Sequence, residues 1–218
     1  MNDPKAVTEA HLEIGRPKRF TDAGVFLATS FGVVLMGLPF LATVLLISFV
    51  HLGLFAILIL PLAALAVDTF FLPLGFSNPR IARWVRSAVP EPTGTIESFI
   101  VQLSLTPRLH WGFRATWEDA DDVGRLSFTD TAIIFAGDAV QMTVPFSQIT
   151  RLRSEGMGLR GLFLYGGRSV FEVPGFQPRV ERIQFAERSS WHLLGSRQIA
   201  RRLLNRFEAV TAQKEARP

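Results

Sequence analysis

The chain has no cysteine, which rules out a disulfide framework, a thiol nucleophile and any cysteine-ligated metal centre. Its four histidines, His11, His51, His110 and His192, are scattered, and none stands near a second candidate ligand. HExxH, GxSxG and the P-loop spacing do not occur, so the common metalloprotease, hydrolase and nucleotide-phosphate signatures are missing. No nucleophile, base and stabiliser can be assembled from motifs, and the expectation is a non-enzymatic protein without a cofactor or metal.

Charge is also missing, over one long stretch. From Ala23 to Pro79 the only Asp, Glu, Lys or Arg is Asp68. A bilayer core needs about 20 apolar residues per helical span, so this stretch is long enough for two. The reading is a two-helix transmembrane hairpin over 23–79, its first span running from Gly24 to about Val50 and its turn near Ser48 to Gly53. Gly32 and Gly37 are too far apart for the GxxxG close-packing motif. Basic residues flank only the outer ends, as Arg16, Lys18 and Arg19 before the hairpin and Arg80, Arg83 and Arg86 after it. By the positive-inside rule both termini are cytoplasmic, which predicts a multi-pass protein of the inner (plasma) membrane. Asp68 falls near the cytoplasmic boundary on this count. Arg16, Lys18, Arg19, Arg80, Arg83, Trp84 and Arg86 are the candidates for contact with lipid headgroups.

The rest of the chain has the charge density of an ordinary globular domain. The formal net charge is +4, but beyond Pro90 basic and acidic residues nearly balance, with no single-sign stripe interleaved with aromatics. Nucleic acid is therefore not an expected partner. The organisation reads as a polar tail over 1–22, the hairpin over 23–79, a juxtamembrane linker over 80–95, a cytoplasmic domain over 96–210 and a polar tail over 211–218.

Within that domain the pattern is of short apolar runs cut by turn residues. Ile96 to Leu105 is a strand ended by Pro107. Further runs follow at Gly124–Phe128, Thr131–Phe135, Val140–Val144, Ile149–Arg153, Leu162–Tyr165, Ser169–Val173 and Val180–Phe185. Thr129-Asp130, Gly137-Asp138, Gly156-Met157-Gly158 and Gly166-Gly167 separate them, residues suited to tight reversals. Such spacing predicts a sandwich or small barrel. After Ser196, read as an N-cap, Ile199, Leu203, Leu204, Phe207 and Val210 recur at helical spacing beside Arg197, Arg201, Arg202 and Arg206. This is an amphipathic closing helix, whose arginines are either solvated or turned toward anionic lipid.

Two clusters carry weaker signals. Glu118, Asp119, Asp121 and Asp122 offer oxygen for a hard cation but lack the EF-hand glycine and distal glutamate, and a solvated acidic loop flanked by Arg114 and Arg125 is the simpler reading. Gly156, Gly158 and Gly161 match GxGxxG, but no helical pattern opens after them, and a turn between strands fits better.

The stretch from Gly124 to Asp130, then Ala132 to Phe135, then Val144 to Ile149 resembles the opening of bacterial PH-like and GRAM-like domains, over about Val123 to Val210. The resemblance implies a mainly-β PH-like barrel closed by a C-terminal helix. With the hairpin, the fold class expected is an α+β membrane protein of the kind found in small bacterial membrane proteins. Phosphoinositide-binding PH domains carry basic residues in the first hairpin loop, where this chain has Thr129-Asp130-Thr131, so specific inositide recognition is not implied. The functional expectation is a membrane-anchored interaction protein, its PH-like domain binding a protein partner or the adjacent lipid bilayer. The alternative is an accessory or assembly subunit of a larger inner-membrane complex.

Overall fold

The structure is a computed structural model that describes residues 9–15, 78–109, 120–155, 167–174, 176 and 180–215, with scattered helical positions between 30 and 63. Its centre is an eight-stranded antiparallel sheet. In chain order the elements are β1 (His11–Ile14), α1 (Asn78–Ala88), β2 (Glu97–Thr106), β3 (Asp122–Phe128), β4 (Ala132–Gly137), β5 (Val140–Pro145), a single 3-10 turn (Phe146–Gln148), β6 (Thr150–Glu155), β7 (Arg168–Glu172), β8 (Arg182–Glu187) and α2 (Leu193–Glu215). The spatial order is β1-β5-β4-β3-β2-β8-β7-β6.

β2 is the longest strand and is buried on both faces. Alternate strand residues point to opposite sides of a sheet, and β2 uses that rule to build two cores. Phe99, Val101, Leu103 and Leu105 join the larger one, with Leu126 and Phe128 of β3, Ile133 and Phe135 of β4, Ile183 and Phe185 of β8, and Leu203, Phe207 and Val210 of α2. Ile100 faces the other way, into a smaller cluster with Val123 and with Ala82, Val85 and Val89 of α1 and the residues just after it. The two helices therefore cover opposite faces. Asn78, Ala82 and Val85 are the buried side of α1, at helical spacing, while Arg80, Arg83 and Arg86 lie on its exposed side.

α2 is anchored by Phe207, whose ring centroid lies 5.0 Å from that of Phe128 and 5.4 Å from that of Phe171, edge-on to the first and tilted to the second. One side chain thus ties β3 to β7, on opposite sides of β2. The helix starts earlier than its Ser196 cap predicts. The Nδ1 of His192 accepts the Gly195 N–H at 2.9 Å and the His192 carbonyl accepts the Ser196 N–H at 3.0 Å, so the imidazole caps a first-turn donor of a helix that begins three residues before Ser196.

The structure corrects three expectations. Among the described residues no helix is long and apolar enough to cross a membrane, so the two-helix transmembrane hairpin, and with it the multi-pass inner-membrane placement with both termini cytoplasmic, is overturned. An uncharged stretch meets the length condition for a span, but a span also needs an unbroken apolar helix of about 20 residues. Here α1 has 11 residues and the 23-residue α2 is amphipathic and arginine-rich. Asn78 and Pro79, read as the end of the apolar stretch, instead open α1, and the buried Asn78 amide donates to the Ser190 carbonyl. Most of 23–77, including Asp68, lies outside the described residues, as do Arg16, Lys18 and Arg19. Where that stretch is described, Leu38, Leu41, Leu45 and Leu46 are exposed.

Second, the sheet is open: β1 and β6 are its two edges, and no ladder among the described residues joins them into a barrel. The physical reason lies in β6. Its register shifts between Thr150 and Arg153, Arg151 has a φ of 48°, and Arg151 and Arg153 are exposed. A bulged, charged edge does not accept another strand. Third, part of the N-terminal stretch read as a polar tail forms β1, which pairs antiparallel with β5 from His11 opposite Thr143 to Ile14 opposite Val140 and buries Leu12. The run Leu162–Tyr165 lies outside the described residues.

Replacing Phe207 by Ala should cost about 3–5 kcal/mol of stability, the usual range for a buried Phe. Urea denaturation of the wild-type and variant chains measures it. A loss below about 1 kcal/mol would mean that α2 is not docked through this ring.

Candidate functional site

β8 stops short of the end of β2. The last ladder pair is Val101 with Glu187, and the Arg188 N–H then donates to the Ile100 carbonyl at 2.9 Å. The Glu187 carboxylate turns the chain away there, one oxygen accepting the N–H of Ser189 and of Ser190 and the Ser189 hydroxyl. This leaves the first residues of β2 without β8 beside them, and a cleft of about 240 Å³ opens, lined by Arg86, Ser98, Phe99, Ile100, Arg125, Ser189, Ile199 and Arg202. That is below the roughly 300–1,000 Å³ of drug-sized sites, so it suits one side chain or one small polyatomic group.

Three elements bring three guanidinium groups to it. Arg86 comes from the last turn of α1, Arg125 from β3 and Arg202 from α2. Arg125 lies on the same face of β3 as Val123, since both are odd-numbered in an alternating strand. Its side chain is only 12% exposed; one terminal nitrogen sits 3.4 Å from a Glu91 oxygen, and its Nε is buried with no hydrogen-bond partner among the described residues. The other Glu91 oxygen accepts the Ser98 hydroxyl at 2.7 Å. Arg202 donates from Nε to Glu97 at 2.7 Å and lies 5.9 Å from the centre of the Phe99 ring. Arg206 approaches the second Glu97 oxygen at 3.8 Å and stands over Phe128. Arg86 makes no ion pair among the described residues. Against the three arginines that line the cleft stand Glu91 and Glu97, which leaves one formal positive charge at a cleft with an apolar floor.

Guanidinium forks match carboxylate and phosphate oxygens in geometry as well as charge. Burial of Arg125 against Ile100 strengthens that match, because attraction rises as the surroundings become less polar. The cleft can therefore hold an oxyanion and position it.

Of the residues singled out for headgroup contact, Arg86 reaches the cleft. Arg80 and Arg83 are exposed elsewhere on α1, and Trp84 packs its ring on the smaller core. Arg202, weighed as a solvated or lipid-facing arginine, has a side chain that is 72% exposed and pairs with Glu97 beside the Phe99 ring. Arg125 and Glu91 were missed as partners. The available signal was a lone arginine inside an alternating strand, where burial asks for a counter-charge.

The acidic cluster has a structural role in its described half. Asp121 accepts the N–H of Leu105 at 2.7 Å and of Leu109 at 2.9 Å, fixing the chain at the end of β2. Asp122 is fully buried at the start of β3 and accepts the N–H groups of Val123, Asp138, Ala139 and Val140, so it ties β3 to the β4–β5 turn. A Cβ on Gly137 would lie 2.1 Å from the Asp122 Oδ2, so that turn must carry glycine. No group of three His, Asp or Glu among the described residues could hold a metal ion. Glu118 and Asp119, and the Gly156, Gly158 and Gly161 trio, lie outside the described residues.

Comparison with protein-family models, with curated proteins and with solved structures finds no match to this chain.

Burial pushes the Asp122 carboxyl up from 3.8 to about 6, against the opposing pull of the N–H groups of Ala139, Val140 and Val123; the nearby Asp138 adds to the rise. A folded-state value above the unfolded one means that the folded chain binds the proton more tightly. Its contribution to stability is therefore fully present below about pH 4 and is lost as pH rises through 6, at about 1.4 kcal/mol per unit of displacement. Asp122→Asn should lower stability throughout, since its NH₂ faces N–H donors, and the advantage of the wild type should shrink between pH 4 and pH 6. Urea denaturation across pH 4 to 8 tests this; an advantage that widens with pH would contradict the assignment.

Proposed function

We propose that this chain is a non-enzymatic interaction protein whose sheet-and-helix unit binds an acidic surface of a protein partner at the Arg86, Arg125 and Arg202 cleft. The observation that carries the reading is the convergence of arginines from α1, β3 and α2 on one pocket floored by Phe99, Ile100 and Ile199. Guanidinium groups bind and orient oxyanions and do not take up protons, so the chemistry of the lining is that of recognition. A protein partner fits better than a flat charged surface, because the cleft is recessed and the Arg125 side chain in its lining is only 12% exposed.

A photo-crosslinking residue placed at Ser98 should capture a discrete partner in intact cells, and the double variant Arg86→Gln with Arg202→Gln should lose that adduct while keeping its melting temperature within about 4–8 °C, since exposed ion pairs contribute about 0–1 kcal/mol. An adduct of unchanged yield in the double variant would rule out the cleft as the contact.

A further inference from the structure

Glu91 marks what the cleft is built to hold. It stands on the Pro90–Thr95 connection, outside both α1 and β2, with a half-exposed side chain, yet its two oxygens reach into the site, one to the Ser98 hydroxyl at 2.7 Å and one to Arg125 at 3.4 Å. A carboxylate delivered by a connecting segment is thus already bridging the cation and hydroxyl that an incoming oxyanion would use. The contact to Arg125 is a loose one, beyond the usual 2.7–2.9 Å of a strong charge-assisted hydrogen bond. The Arg125 Nε has no hydrogen-bond partner among the described residues, and Arg86 makes no ion pair among them. The site holds its own acid incompletely.

The charge count decides between ligand classes. Once Glu91 is displaced, Arg86, Arg125 and Arg202, the three arginines that line the cleft, stand against Glu97 alone and leave an excess of two positive charges. A single carboxylate supplies one negative charge and two oxygens. A phosphate monoester carries about −1.5 to −2 charges at neutral pH and three acceptor oxygens, which suits three guanidinium groups arriving from three directions. Deepening the reading above, and resting on it, we infer that the cleft recognises a phosphate monoester on a side chain of the protein partner, and that Glu91 is an internal competitor displaced when that group binds. Displacement needs no rearrangement of the core, because Glu91 lies on a connection and Arg125 is held in place by β3.

The test is calorimetric titration of the full chain with three probes: inorganic phosphate, a short acidic peptide carrying one phosphoserine, and the same peptide with unmodified serine. The phosphopeptide should bind at least tenfold tighter than its unmodified twin, and inorganic phosphate should compete with it. Glu91→Gln, which keeps an acceptor for Ser98 but removes the charge, should tighten phosphopeptide binding several-fold. Arg202→Gln should weaken it tenfold or more. If Glu91 is only a strap, Glu91→Gln will lower the melting temperature and leave affinity unchanged, and the competitor role is overturned. If both peptides bind equally and both lose affinity in Arg202→Gln, the phosphate class is overturned while the acidic-partner reading stands. If no probe binds but the Ser98 adduct still depends on Arg86 and Arg202, the inference fails alone; loss of that dependence removes the reading beneath it.

Discussion

The double duty of β2 is the constraint on which the rest depends. It pairs with β3 along one edge and β8 along the other, so it joins the two halves of the sheet, and its alternate side chains feed two cores on opposite faces. A strand buried on both faces has no solvent side to tolerate errors, and a slip of one residue would send Phe99, Val101 and Leu103 to the face where α1 packs. The cleft follows from the same constraint. β2 outruns β8, and the unpaired end is where α1, β3 and α2 come closest to sharing one surface.

Polar groups at the strand ends hold this arrangement. Asp121 fixes the exit from β2, Asp122 clasps the β4–β5 turn to β3, and Glu187 turns the chain out of β8. Each carboxylate satisfies backbone donors that burial would otherwise leave costly. At the cleft the acids, Glu91 and Glu97, meet cations instead of backbone.

What could be read from the sequence was what depends on local pattern. The strands after Thr95 were legible because apolar runs and residues such as Gly137-Asp138 set both length and turn, and α2 was legible from Ile199, Leu203 and Phe207. The rest depended on contacts between distant residues. Nothing in His11–Ile14 announces a strand until β5 presents an edge to it. Nothing in Asp122 announces burial until the 138–140 backbone turns toward it. The run over 23–79, with Asp68 its only charge, satisfied a length rule for a membrane span; the second condition, a continuous apolar helix, is a property of structure, and no helix among the described residues meets it. The cleft was half visible, in Arg86 and Arg202, because spacing places arginines on helix faces; Arg125 and Glu91 belong to it only through the fold.

The bulge in β6 has a consequence for assembly. Open sheets can add to one another edge to edge, and growth without end needs two different edges that fit each other head to tail. With β6 bent by its register shift and guarded by Arg151 and Arg153, one of the two edges refuses a neighbour. Among the described residues only the β1 side remains, and an edge that can meet nothing but its own copy closes after two molecules. The asymmetry of the sheet is therefore a limit on polymer length, set by one irregular strand far from the cleft.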